Sequence, residues 1–410
     1  MVLFLQQQEC ARGEYDQVLN KSFWIAGFEC SCHRRSDGRR LDLLAATRHD
    51  QLAASDYARL RQAGIGMARD GVRWHLVERH PGRYEFGSLL PMVRAARHTG
   101  IQVIWDLCHY GWPEGLDIFR PEFVDRFAEY ARAVARVIAA ETDEPAAYCP
   151  VNEISFWSWG GGDVAYLNPF ASGRGFELKA QLVRASLAAI DAIWSVDPRA
   201  RILHAEPAIH ILPNPDLAAR KDVEGHRLAQ FQAWDMLAGR LWPQLGGDER
   251  CLDVLGVNYY PANQWLLDGP TVRRDDPRYR PFRQILMEVW ERYGRPLIVS
   301  ETGDQGAERA SWLRYVAEEV RAARSAGVPV EGICLYPILD YPGWDDDRHC
   351  ETGLWSLAGP DGHRETCVSL AQELERQARL MRPMPPNSQS QAPDFEGAGA
   401  EEEETEHVAF

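Results

Sequence analysis

Eight short apolar runs punctuate the chain, and a longer helical stretch follows most of them. The runs are FWIAGFE (23–29), IGMARDGV (65–72), IQVIWDL (101–107), AAYCPVN (146–152), RILHAEP (201–207), LDVLGVNYY (252–260), PLIVSE (296–301) and VEGICLYPI (330–338). Between them, segments 49–64, 88–100, 121–140, 177–196 and 309–327 repeat Leu and Ala at i, i+3 and i+4 with Arg and Glu interspersed, the period of an amphipathic helix. Gly64, Gly100 and Gly327 follow three of these, where helices commonly end. Eight such units in about 360 residues predict a closed (β/α)8 TIM barrel in the α/β class rather than an open sheet.

One domain spanning 22–382 accounts for this pattern. Residues 1–21 precede it as an N-terminal extension. Residues 383–410 are rich in Pro, Ser, Gln, Gly and Glu and lack the apolar area to offset their ordering entropy, so a disordered acidic tail is expected there. The net charge of −15 is partly local. Seven acidic residues and no Lys or Arg lie in 383–410, leaving −8 on the remainder. A mildly acidic body argues against nucleic acid, whose phosphates call for a basic stripe.

No run reaches the length of a membrane span. The opening MVLFL has no basic segment before it and is short for a signal peptide, so no membrane partner and a cytoplasmic location are expected. The nine cysteines include no CxxC pair, and Cys108, Cys149 and Cys334 sit in apolar runs, the pattern of reduced core thiols. No dinucleotide or phosphate-loop glycine motif is present. Asp345-Asp346-Asp347-Arg348-His349 reads as a solvated loop rather than a metal cluster, so no cofactor and no metal are expected.

In such a barrel, reactive groups stand at the C-terminal ends of the strands. These ends carry Arg73-Trp74, His109-Tyr110, Asn152-Glu153, Asn258-Tyr259-Tyr260, Glu301 and Asp340 to Trp344. Two glutamates, Glu153 and Glu301, end strands roughly half a barrel apart. A paired carboxylate suits acid-assisted displacement at a sugar carbon, one group protonating the leaving oxygen and the other attacking the anomeric centre. Arg73 and Tyr260 suit a carboxylate, Asn152 and His109 suit sugar hydroxyls, and a Trp face suits the C–H face of a pyranose. Arg73 has Glu85 and Asp70 as alternative partners. His204 and Glu206, ending the fifth strand, read as structural.

Five segments, in order, resemble a clan A glycoside hydrolase, and glycoside hydrolase family 1 most closely. VNE (151–153) resembles that family's acid/base motif, and RYGRPLIVSETG (292–303) its nucleophile segment. VIWDLCHYGWPEGL (103–116), VLGVNYYPA (254–262) and GICLYPILDYPGWDDDRHCETGLW (332–355) are similar to its third, sixth and eighth strand segments. The resemblance implies a retaining β-glycosidase, with Glu153 as acid/base, Glu301 as nucleophile, Arg73 and Tyr260 holding Glu301, and His109, Asn152, Asn258 and Trp344 lining the sugar subsite. Its substrate would be a carbohydrate or glycoside.

The departures fall in the sugar-reading shell. Ile154 replaces the usual Pro, Tyr336 replaces a Trp, and Gly343 stands where the family has a Glu gripping the outer hydroxyls of glucose or galactose. The family's first-strand Gln is absent, and Glu29 and His33 are candidate replacements. Asp345, Asp346 and Asp347 disfavour an acidic sugar and suit a cationic one. The implied specificity is therefore altered from glucose and galactose. A transglycosidase on the same machinery, or a sugar-binding barrel without turnover, are the alternative readings.

Overall fold

The computed structural model describes residues 22–216 and 222–381. The expected N-terminal extension and acidic tail lie outside the described residues. Eight parallel strands close into a barrel: β1 Trp24–Gly27, β2 Met67–Gly71, β3 Gln102–Asp106, β4 Ala147–Cys149, β5 Arg201–Pro207, β6 Val254–Asn258, β7 Leu297–Thr302 and β8 Val330–Leu335. Their order around the barrel follows the chain, and β8 returns to β1 through the pairs Trp24–Ile333, Ile25–Cys334 and Ala26–Leu335. All eight apolar runs supply a strand.

Helices pack outside: α1 His49–Gln62, α2 Leu90–Thr99, α3 Pro121–Glu141, α4 Gly175–Trp194, α5 Gln232–Leu237, α6 Phe282–Tyr293, α7 Arg309–Ser325 and α8 Val368–Met381. The amphipathic period places Phe123, Phe127, Tyr130, Val134 and Ile138 of α3 against the sheet. Gly100 ends α2 in the left-handed region at φ 69°, where its N–H closes on Ala96.

Strand alternation divides the core in two. Ile25, Met67, Ile104, Cys149, Leu203, Val254, Ile298 and Cys334 point inward and fill the barrel. Trp24, Ala68, Trp105, Tyr148, Leu255, Val299 and Ile333 point outward under the helices. Tyr336 lies over the inner cluster, so close to β1 that a Cβ at Gly27 would stand 2.0 Å from its Cδ2.

Loops at the C-terminal ends of the strands carry short structure of their own. After β4, helix Ile154–Trp157 runs into a wider turn over Ser158–Asp163. After β8, Tyr341–Pro342 pairs antiparallel with His349–Cys350 around Trp344. The eight described cysteines are free thiols, and seven are buried. Among the described residues, no helix is long and apolar enough to cross a membrane. A buried polar chain ties α1 to the C-terminal segment: His49 meets Asp70 at 2.8 Å and Asp56 at 2.9 Å, and Arg364 donates to both Asp56 oxygens.

Candidate active site

Inward-facing positions near the strand ends turn from apolar to polar. In β2 the inward series is Met67 then Arg69; in β3 it is Ile104 then Asp106. Arg69 is fully buried, and its guanidinium donates to three polar side chains and to the Ser300 carbonyl at 3.2 Å. Its Nε and Nη2 donate to Asp106 at 2.9 and 2.8 Å, Nη1 donates to Glu301 Oε1 at 2.7 Å, and Nη2 donates to Asn152 Oδ1 at 2.6 Å. Tyr260 Oη donates to the other Glu301 oxygen at 2.9 Å.

This corrects the expected partner of Glu301. Arg73 lies past the end of β2, opening helix Trp74–Val77, and its Nη1 turns outward to Asp42 at 3.0 Å and Asp50 at 3.1 Å. The strand stops at Gly71, so the inward alternation ends with Arg69. A charged residue two places after Met67, on the inward face of an apolar strand, was the available signal. Asp106 carries the same signal two places after Ile104.

Glu153 is held differently. Tyr110 Oη donates to its Oε2 at 2.7 Å and Asn258 Nδ2 to its Oε1 at 2.9 Å. Ser300 Oγ in turn orients Asn258 by donating to Oδ1 at 2.6 Å. Its backbone is left-handed at φ 46° and ψ 62°, a conformation that concentrates at functional sites in non-glycine residues. Tyr110, also left-handed at φ 65°, had no sequence signal beyond its place after His109.

Asn152 links the two halves, accepting from Arg69 and donating to Tyr110 Oη at 2.9 Å. Its amide also donates to His109 Nε2 at 3.1 Å, which assigns the Nδ1–H of His109 to Asp106 at 3.0 Å. The structure thus brings together Glu153, Glu301, His109, Asn152, Asn258 and Tyr260 in one polar lattice, with Arg69, Asp106 and Tyr110 added and Arg73 removed.

Electrostatics follow from this arrangement. Burial and the charge of Glu153 push Glu301 up to about 7, against the pull of Arg69. Burial pushes Asp106 up as well, but Arg69 and His109 outweigh it and hold its carboxyl below the ordinary value. Burial and the nearby glutamates push the Tyr110 and Tyr260 hydroxyls well up, so both remain donors.

Cys30 Sγ, Asp106 and His109 bring possible metal-ligand atoms within 4.8 Å of one another. The guanidinium of Arg69 already takes both Asp106 oxygens, and burial holds the Cys30 thiol protonated, so the cluster suits an ion-pair lattice and not a cation.

Aromatic rings form the rim. Trp344 meets His33 edge-on at 4.9 Å and Tyr110 at 5.6 Å, and Phe156 bridges Tyr110 to the exposed Trp159. Trp157, in contrast, is buried. Burial lowers His33 to about 3, leaving a neutral ring whose Nδ1 is buried without a partner. Glu29 is also buried, its Oε1 accepting from the Ser31 N–H at 2.9 Å and the Ser31 hydroxyl at 2.5 Å. The aspartates after Trp344 are tied down: Asp347 to Arg35 and Arg39, Asp345 to Tyr166 at 3.2 Å. A surface cleft at the opposite end of the barrel, by Arg97, Gln102 and Thr142, gathers no comparable chemistry.

No family model and no curated protein matches the sequence. Solved structures match in shape. The AHE enzyme from Alicyclobacillus herbarius superposes with a TM-score of 0.73 at 17% identity, covering 88% of this chain and 99% of that one. A family 1 β-glucosidase from Thermotoga maritima superposes at 0.70 and 17% identity, covering 87% and 97%. The chain shares that enzyme's fold. The β-glucosidase in complex with castanospermine gives 0.70 at 16% identity, covering 88% and 98%.

Proposed function

We propose that the chain is a retaining β-glycosidase that hydrolyses an O-glycosidic bond through a covalent intermediate on Glu301, with Glu153 as acid/base. The observation that carries this reading is the unequal support of two glutamates joined in one hydrogen-bonded lattice. Glu301 has a guanidinium at 2.7 Å, whereas Glu153 has only the neutral donors Tyr110 and Asn258. The guanidinium stabilises the charged, nucleophilic form of Glu301 against the burial that pushes this carboxyl up to about 7. A β-glucosidase among the structural neighbours agrees with this class of chemistry.

In the first step Glu301 attacks the anomeric carbon, the bond to the leaving oxygen breaks, and that oxygen takes the proton of Glu153. In the second, Glu153 removes a proton from water, the water oxygen attacks the same carbon, and the bond to Glu301 breaks. Arg69 and Tyr260 steady the Glu301 carboxylate as it is released. His109 and Asn152 offer polar groups to the sugar, and Trp344 offers a ring face. An acceptor sugar in place of water would give transfer on the same machinery, and product analysis with added acceptor separates the two.

The sugar is read differently from glucose or galactose. Gly343 brings no side chain to the rim, and a Cβ there would meet Asp346 at 2.9 Å and Arg348 at 3.2 Å. His33 and Glu29 are the polar groups on the β1 side. The free thiols fit a reducing compartment, so a cytoplasmic location is inferred.

A panel of 2-fluoro glycosides tests the proposal. The expected result is a stable covalent adduct on Glu301 with at least one sugar. An adduct on another residue, or none from a panel whose parent glycosides are turned over, overturns it.

A further inference from the structure

A third carboxyl stands behind the Glu153 turn. Glu206 is the penultimate residue of β5, is 2% exposed, and receives the Ser155 N–H on both oxygens, at 3.0 and 3.3 Å. The residue before it, Ala205, accepts the N–H of Glu153 at 2.9 Å. Neighbouring positions of β5 thus grip the turn on either side of Ile154, one through a backbone carbonyl and one through a side chain. Between those two bonds Glu153 holds its left-handed backbone, which a non-glycine residue keeps only where its surroundings over-determine it.

The carboxyl is costly to keep in this place. Burial pushes Glu206 up to about 8, and the charge of Glu153 adds to this, while Ser155 and the ammonium of Lys179 draw it back. Lys179, on α4, is itself buried, and its Nζ donates to Gln232 Oε1 at 2.8 Å. An apolar side chain would fill the position at lower cost if filling were all that was required. The hydrogen-bonded partner of Glu206 is instead the backbone two residues past the proposed acid/base.

We infer that Glu206 is a positioning residue for Glu153: through the Ser155 N–H it fixes the turn after β4, and so holds the Glu153 carboxyl against Tyr110 and Asn258 at the leaving oxygen. This rests on the glycosidase reading. The role is geometric. Glu206 touches no substrate, and its loss acts where proton donation limits the rate.

The test uses the full-length chain and whichever β-glycoside it turns over fastest, in phenyl and 2,4-dinitrophenyl form. The phenyl compound needs a proton on its leaving oxygen; the dinitrophenyl compound does not. In Glu206→Met, kcat/KM is expected to fall about 100-fold on the phenyl glycoside and by less than about threefold on the dinitrophenyl one, within the range general acid catalysis supplies. Glu206→Gln, whose amide oxygen still accepts from Ser155, is expected to keep the wild-type ratio. Should the buried Lys179 ammonium unfold the methionine variant, Lys179→Met/Glu206→Met removes both charges and gives the same comparison. An equal loss on both substrates, no loss on either, or a glutamine variant as impaired as methionine overturns the inference and leaves the glycosidase reading standing. A wild-type chain inactive on every glycoside tried overturns the glycosidase reading instead, and the positioning role with it.

Discussion

Replacing Arg69 by Met separates the buried arginine from the neighbouring Arg73 in a single measurement. Arg69 is the shared cation of two buried carboxylates, Asp106 at 2.8 Å and Glu301 at 2.7 Å. Removing one partner of such a buried ion pair costs about 3–5 kcal/mol, because the other charge is left without compensation. Arg73→Met removes a cation whose partners, Asp42 and Asp50, are partly solvated, and about 1 kcal/mol is expected.

The pH dependence sharpens the contrast. Burial raises Glu301 to about 7 in the fold, against the pull of Arg69. Its contribution to stability is therefore fully present below the unfolded value and is lost as pH rises through 7. Without Arg69, Glu301 moves further up and Asp106 loses the main charge that holds it down, so the deficit of Arg69→Met grows from pH 5 to pH 8. Urea denaturation of the wild type and both variants at those two pH values measures it. A loss below about 1 kcal/mol for Arg69→Met, a larger loss for Arg73→Met, or a deficit that does not grow with pH refutes the reasoning.

Three further outcomes are expected. Glu301→Gln abolishes turnover yet stabilises the fold by up to about 3 kcal/mol at pH 8, with the gain vanishing below pH 4.5; urea titration across that range checks the sign. His49 is raised to about 9, since Asp70 and Asp56 outweigh its burial, so wild-type stability declines between pH 6.5 and 9 and His49→Leu flattens that decline in denaturant melts. Gly27→Ala drives a methyl into the ring of Tyr336 and lowers stability by about 1–3 kcal/mol, visible as a depressed melting temperature.

Barrel architecture was legible because periodicity reports which face of an element is buried. β5 and α3 coincide with their expected spans to within a residue. The place of Glu153 and Glu301 at the C-terminal end of the barrel was legible for a related reason, as charged residues closing apolar runs. Arg73 was misread because a strand end cannot be located to within two residues from composition. Here Gly71 ends the ladder and sends the next arginine outward. Tyr110 and Glu206 were illegible as supports of the Glu153 region. Their relation to it spans 43 and 51 positions of chain and exists only once β3, β4 and β5 lie side by side.

That Arg69 grips Asp106 as firmly as Glu301 has a use. Cutting position 301 back to alanine deprives the guanidinium of one anion and leaves it the other, still bound through two hydrogen bonds at 2.9 and 2.8 Å. The vacated space, bordered by a positive fork and the Tyr260 hydroxyl, would welcome azide or formate from solution. A barrel truncated in this way offers a socket into which small nucleophiles can be plugged at will.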